Sequence, residues 1–141
     1  MPPRGSSTVP GGIQGQGIPI RPGTDAALVA ALGYVMETEG LVDDFVHTHA
    51  TGYEAYRRYL MGEADGVRKT PEWAQPITGV PAGTIRDLAL AYATVKPAAL
   101  LPGWGAQRTR FGEQIARAFI TLACMSGNIG VRGGGLASVG T

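Results

Sequence analysis

The feature that most limits what this chain can become runs from Ala98 to Arg110, AALLPGWGAQRTR, followed by an amphipathic stretch ending near Met125. A short apolar run enters a loop carrying Gly103 and Gly105, and that loop delivers Gln107, Arg108 and Arg110 to an expected helix start at Phe111. Glycine lets a ligand approach the backbone closely, and a helix N-terminus favours anions. A smaller version lies upstream, where IPIR (Ile18 to Arg21) runs into PGTD (Pro22 to Asp25) and a second periodic stretch. Two strand–loop–helix units predict an α/β fold with a nucleotide-type ligand at the carboxyl edge of a parallel sheet.

Between these units the pattern is helical. Thr24 or Asp25 is the expected cap of a first helix, whose Leu28, Val29, Leu32, Val35 and Met36 form one buried stripe that stops at Gly40. A short helix through Phe45 and Val46 follows Asp43 and Asp44, and another runs from Tyr53 to Met61, closed by Gly62. GEADGVRK (Gly62 to Lys69) reads as a polar surface loop. Thr70-Pro71-Glu72 opens the next helix, with a capping hydroxyl and proline at the first helical position. Pro81 to about Val95 is a further helix, with Ile85, Leu88, Ala89 and Tyr92 inward, and Lys96-Pro97 stops it. The last helix, Phe111 to Met125, turns Ile115, Ala118, Phe119 and Leu122 inward, and the tail GVRGGG reads as a loop. Met1 to Gly17 has almost no large apolar residues and reads as a flexible leader or an appended segment. Only two strands are visible, Ile18 to Arg21 and Ala98 to Leu101. Two are too few for a stable sheet, so the chain reads as part of a larger α/β domain.

Composition removes several classes of function. Twelve basic and eleven acidic side chains leave a net charge of +1, which gives no bulk affinity for nucleic acid. A single cysteine, Cys124, excludes an internal disulfide and a cysteine-only metal cluster. No apolar run approaches the roughly 20 residues of a membrane span, and the N-terminus lacks the apolar centre of a signal peptide. No Ser–His–Asp set, paired-carboxylate signature, phosphate-binding Walker loop or zinc spacing is present.

The candidate binding residues each have a plain alternative. Asp25 is either a helix cap or a carboxylate accepting two parallel N–H bonds from a guanine edge, and Thr24 as the cap would leave it free for the second role. Trp104, Gly105, Gln107 and Arg108 are either a tight turn with a core tryptophan and solvated arginines, or a ligand cluster. In the second case the Gly105 amide approaches the ligand, Trp104 stacks on a planar ring and Arg108 pairs with a phosphate. His47 and His49, two apart, point to different faces of a helix and do not form a shared metal site. Cys124 reads as a structural thiol, and Gly133 to Gly135 is either a loose end or a close-approach loop.

Four motifs taken together, IPIRPGTDAAL, KTPEWAQPITGVPAGTI, GWGAQR and SGNIGVRGGG, resemble the molybdopterin oxidoreductases of the dimethyl sulfoxide reductase family. The likeness runs from about Ile18 to Leu136 and is greatest to catalytic subunits of anaerobic dimethyl sulfoxide reductases. It implies a helix-rich, incomplete part of a Rossmann-like domain over residues 18–136, with 137–141 as a tail. It also implies molybdenum carried on two molybdopterin guanine dinucleotides, and reduction of S-oxides or N-oxides. By the same resemblance Gly23, Thr24 and Asp25 lie at the guanosine end of a dinucleotide. Trp104, Gly105 and Arg108, with Gln107 beside them, lie nearer the pterin. The implied partners are the rest of the catalytic subunit, an iron–sulphur subunit and a membrane anchor, with a periplasmic or membrane-associated location.

The family's iron–sulphur cysteine motif, its molybdenum-ligating residue and its C-terminal pterin domain have no counterpart in these residues. The iron–sulphur cluster is therefore expected elsewhere in a full-length protein, and the isolated chain is expected to be inactive. The competing expectation is a stand-alone, non-catalytic nucleotide-binding or interaction module.

Overall fold

A computed structural model of the protein describes residues 15–108 and 110–137. The leader expected over Met1 to Gly17 falls outside the described residues as far as residue 14, and so do residues 138–141 of the tail. The elements in chain order are α1 (Asp25–Thr38), α2 (Phe45–His49), α3 (Tyr53–Leu60), α4 (Pro71–Thr78), α5 (Ala82–Thr94), β1 (Ala99–Leu100), a single 3-10 turn (Ala106–Arg108), α6 (Glu113–Met125) and β2 (Gly135–Leu136). The architecture is α/β, helix-rich with a small parallel sheet.

The hub is α1, which packs against α3, α4, α5 and α6. A helix touched on most sides must be apolar on most sides, and Val29, Ala30, Ala31, Leu32, Val35 and Met36 are all buried. The small residues matter for spacing: a Cβ added at Gly33 would sit 3.2 Å from the Leu60 side chain. At its C-terminus the Leu41 amide donates to the Met36 carbonyl (2.9 Å) and Gly40 adopts φ +65°. This is a Schellman stop, closed by the glycine that the sequence offers there. α4 begins as its sequence demands, with Pro71 in the first turn and the Thr70 hydroxyl accepting from the Trp73 amide at 3.1 Å.

β1 pairs in parallel with β2, Ala99 opposite Gly135 and Leu100 opposite Leu136. The crossover between them is α6. Asn128, fully buried just beyond α6, ties this unit together: its Oδ1 accepts from the Ala98 amide (3.0 Å) and its Nδ2 donates to Ser126 Oγ (2.9 Å).

Four expectations are corrected here. Ile18 to Arg21 is an extended segment and not a strand: Ile18 and Ile20 pack on the core, the Arg21 amide donates to the Thr78 carbonyl at the end of α4, and among the described residues no strand pairs with it. The tail does not stay a loop. Gly133 to Gly135 approaches the backbone closely, a Cβ on Gly134 meeting the Asn128 carbonyl oxygen at 2.9 Å, and the chain then enters β2.

The last helix starts at Glu113 rather than Phe111, because Phe111 has φ +63°, outside the right-handed helical region. Finally, Gly62 to Lys69 is not wholly a surface loop. Lys69 is buried, with its ammonium donating to Asp65 Oδ2 (2.6 Å) and to the Val67 carbonyl, 4.2 Å from the centre of the Tyr59 ring.

Candidate cofactor site

The site is built from two turns. The first is Arg21-Pro22-Gly23-Thr24. Pro22 pre-sets the second position and Gly23, at φ +79°, takes the third, where only glycine is unstrained. The Thr24 amide donates to the Arg21 carbonyl at 3.3 Å and closes the turn. Thr24 occupies the N-cap position of α1, yet its hydroxyl donates to that same Arg21 carbonyl (2.6 Å) and gives the helix no side-chain cap. Asp25 is therefore the first helical residue and not the cap. Its half-buried carboxylate accepts no hydrogen bond from the described residues, so the capping role weighed for it from sequence is not the one it plays.

The second turn follows β1. Leu100, Pro102, Gly103 and Gly105 line a cavity of about 370 Å³, and Asp25 forms part of the same wall. Residues 80 positions apart in sequence thus face one space. Gly103 and Gly105 have ordinary backbone angles, and a Cβ added to either would meet nothing within 4 Å. The fold itself does not require glycine at these two positions, and side chains there would only occupy the open space.

A second, smaller cavity of about 170 Å³ lies beside the first and is lined by Trp104, Gln107 and the Ile115–Ile120 face of α6. Trp104 is 41% exposed, and the Arg108 guanidinium carbon stands 5.4 Å from the centre of its ring. The tryptophan is therefore not a core residue: it presents a half-open aromatic face with a cation held against it. Gln107 and Arg108 belong to the 3-10 turn rather than to the start of α6. Gly112 turns the chain between the two, so close to Gln107 that an added Cβ would collide with its carbonyl.

Of the residues singled out from sequence, Asp25 and Gly105 share the larger cavity, and Trp104 and Gln107 share the smaller. Gly23, Thr24 and Arg108 shape the turns without lining either cavity. His47 lies edge-on to Tyr53 (5.2 Å between ring centres) and His49 stacks on Phe45 (4.4 Å), so both rings are engaged in packing. Cys124 is half-buried, and burial raises its thiol pKa, which suits a structural thiol better than a reactive one. Arg21, read from sequence only as the end of a strand, and Phe119, read only as an inward residue of the last helix, are site residues that sequence reasoning did not single out. Phe119 lines both cavities from α6, and Arg21 holds the first turn in place.

Asp25, just beyond the first turn, and the glycine-bearing second turn thus face one cavity beside the small parallel sheet. The family model for molybdopterin oxidoreductase matches residues 11–140, and the chain belongs to that family. It is 48% identical over 137 residues to the dimethyl sulfoxide reductase DmsA of Escherichia coli (strain K12), covering 87% of this chain and 17% of that protein. It is 42% identical over 124 residues to the trimethylamine-N-oxide reductase of Haemophilus influenzae, covering 87% of this chain and 15% of that one. Among solved structures, acetylene hydratase from Pelobacter acetylenicus superposes with a TM-score of 0.69 at 29% identity, covering 80% of this chain and 15% of its own. The chain thus spans about a sixth of the length of the curated relatives it matches. The same backbone serves proteins named as reductases and one named as a hydratase, so this segment does not by itself choose the reaction.

Proposed function

We propose that the protein is a cofactor-positioning segment of a molybdenum oxidoreductase that reduces S-oxides or N-oxides. The observation that supports it most is the single cavity shared by the Asp25 carboxylate, which has no hydrogen-bond partner among the described residues, and the open backbone at Gly103 and Gly105. Those residues fit a guanine dinucleotide in their hydrogen-bonding chemistry. A carboxylate accepts the two parallel N–H groups of guanine, which adenine does not offer. The half-open Trp104 ring suits stacking on a planar system, and Arg108 and the Gly105 amide suit a diphosphate. Gln107, beside them, supplies an amide donor and acceptor.

When bound, a molybdopterin cofactor supplies the redox chemistry, and this chain's residues bind it, orient it and keep its ends apart. The segment is read as the latter part of a Rossmann-like domain over residues 18–136, because α6 crosses between parallel strands as such units require. The remaining parts of the reading rest on the family resemblance alone: a guanine dinucleotide form of the cofactor, an iron–sulphur cluster elsewhere in the full-length protein, electron-delivering partner subunits, and a periplasmic or membrane-associated location. Among the described residues no helix is long and apolar enough to cross a membrane.

The test is expression of the full-length protein from its own gene, followed by molybdenum, pterin and GMP analysis. The expected result is metal and GMP in fixed ratio to protein, with Asp25→Ala depleting GMP more than it lowers Tm. Equal loss of both, or a wild-type protein without pterin, refutes the reading.

A further inference from the structure

We propose that Arg21 is a positioning residue for the cofactor site: by clamping the C-terminus of α4 it fixes the turn that carries Asp25. The inference rests on the reading of Asp25 as the guanine-binding carboxylate and adds to it the device that holds that carboxylate in place.

The last four carbonyls of a helix have no partner within it and must find one elsewhere. In α4 the account closes on a single residue. Gln75 O accepts from the Gly79 amide (2.8 Å), and Thr78 O accepts from the Arg21 amide (2.8 Å). Pro76 O and Ile77 O both accept from the Arg21 guanidinium, at 2.9 and 2.6 Å. Arg21 thus serves three of the four orphan carbonyls, with its positive charge at the end of the helix where the backbone dipole is negative.

The other side of Arg21 faces the site. Its carbonyl is the acceptor for both the amide and the hydroxyl of Thr24, across a turn stiffened by Pro22 and by the positive φ of Gly23. Because the Thr24 hydroxyl is engaged there, the first turn of α1 has no side-chain cap of its own. Helix ends fray when uncapped, and Asp25 sits in that first turn. The position of the carboxylate is therefore referred through Thr24 and Arg21 to α4, whose Pro71, Ala74 and Thr78 are buried in the core. Before the turn, Ile18 and Ile20 rest only partly buried on the core and residues 15–17 are exposed, so the hydrogen-bonded hold on the turn comes from Arg21.

The test uses the full-length holoenzyme in four versions: wild type, Arg21→Ala, Asp25→Ala and the double variant, with Arg21→Lys as the conservative control. The readouts are the rate at which acid-releasable GMP is lost per mole of folded protein during dialysis, and the Tm of the cofactor-free protein. Arg21→Ala is expected to speed GMP loss about tenfold, within the range of coupling seen for residues of one network. Arg21→Lys is expected to fall between Arg21→Ala and wild type, and the double variant is expected to lose GMP no faster than Asp25→Ala alone. If Arg21→Ala lowers Tm but loses GMP at the wild-type rate, Arg21 is structural only and the proposal is overturned. Multiplicative losses in the double variant also overturn it, while leaving the Asp25 reading intact. A wild-type holoenzyme without GMP, or Asp25→Ala losing it at the wild-type rate, overturns the Asp25 reading instead.

Discussion

Asn128→Ala is the substitution whose consequences the structure defines most closely. The side chain is fully buried and makes two hydrogen bonds, one from the Ala98 amide at the entry to β1 and one to Ser126 Oγ at the exit of α6. Losing two bonds costs about 1 kcal/mol each, and the stranded, part-buried Ala98 amide adds about 1 kcal/mol more. The sum, about 3 kcal/mol, corresponds to about a hundredfold rise in local opening of the β1–α6 junction. Amide hydrogen exchange measures this directly and needs no global two-state transition. Peptides covering residues 98–101 and 126–137 should exchange about a hundredfold faster in the variant, while peptides from the middle of α1 keep wild-type protection. Ser126→Ala removes only one of the two bonds, so about fivefold is expected for it at the same peptides. Because β1 leads directly into the Pro102–Ala106 loop, the same opening should loosen the wall of the larger cavity. Exchange within threefold of wild type in Asn128→Ala would refute the assignment of Asn128 as the pin of the crossover unit.

Three further outcomes follow from other parts of the structure. Gly112→Ala drives a Cβ into the Gln107 carbonyl and should displace the Ala106–Arg108 turn. In a Trp73→Phe background the emission of Trp104 should then shift, and an unchanged spectrum would count against that packing. The Phe45 amide, donating to Asp43 Oδ1 (2.9 Å), holds the Asp43 carboxyl below the usual carboxylate range, against the opposing effect of burial and with help from Lys96 at 3.5 Å. A depressed folded pKa gives stability that is present above the unfolded value and lost as pH falls through the folded one. Unfolding followed from pH 5 to pH 2 should therefore show a loss of stability below about pH 4 that is smaller in Asp43→Asn; identical profiles would refute it. Lys69→Met keeps the buried stem but removes the ammonium that holds Asp65 and the Val67 carbonyl. Trypsin should then cut at Arg68 faster with α1 and α5 intact, and unchanged cleavage would show that the ammonium does not hold the loop.

The helices were legible because each carries its own punctuation: Thr70-Pro71 opens α4, Gly40 closes α1, and the apolar spacing names the inward faces. The strands were not. Ile18 to Arg21 alternates as a strand does, but an extended chain becomes a strand only when another lies beside it, and the partner here is the end of a helix. Gly135 disfavours a strand and Leu136 alone gives no alternating pattern, so the pairing with β1 is what makes them one. Phe111 fits the periodicity of α6 and is excluded from it by one backbone angle.

The two site turns were visible for a related reason. Glycine, proline and aspartate constrain or decorate the backbone at their own positions, so PGTD and PGWG announce what they do locally, whereas their meeting in one cavity depends on how α1 and α6 pack. The Arg21 clamp marks the limit of that legibility. Its acceptors are main-chain carbonyls 55 and 56 residues away, and a carbonyl is the same group whatever residue bears it. An arginine that reads a carboxylate leaves a second mark in the sequence, the partner acid; one that reads backbone leaves none. Residues that aim a site through main-chain contacts therefore emerge only once the orphan carbonyls of each helix have been assigned their donors, and α4 is the helix on which that assignment converges on the cofactor turn.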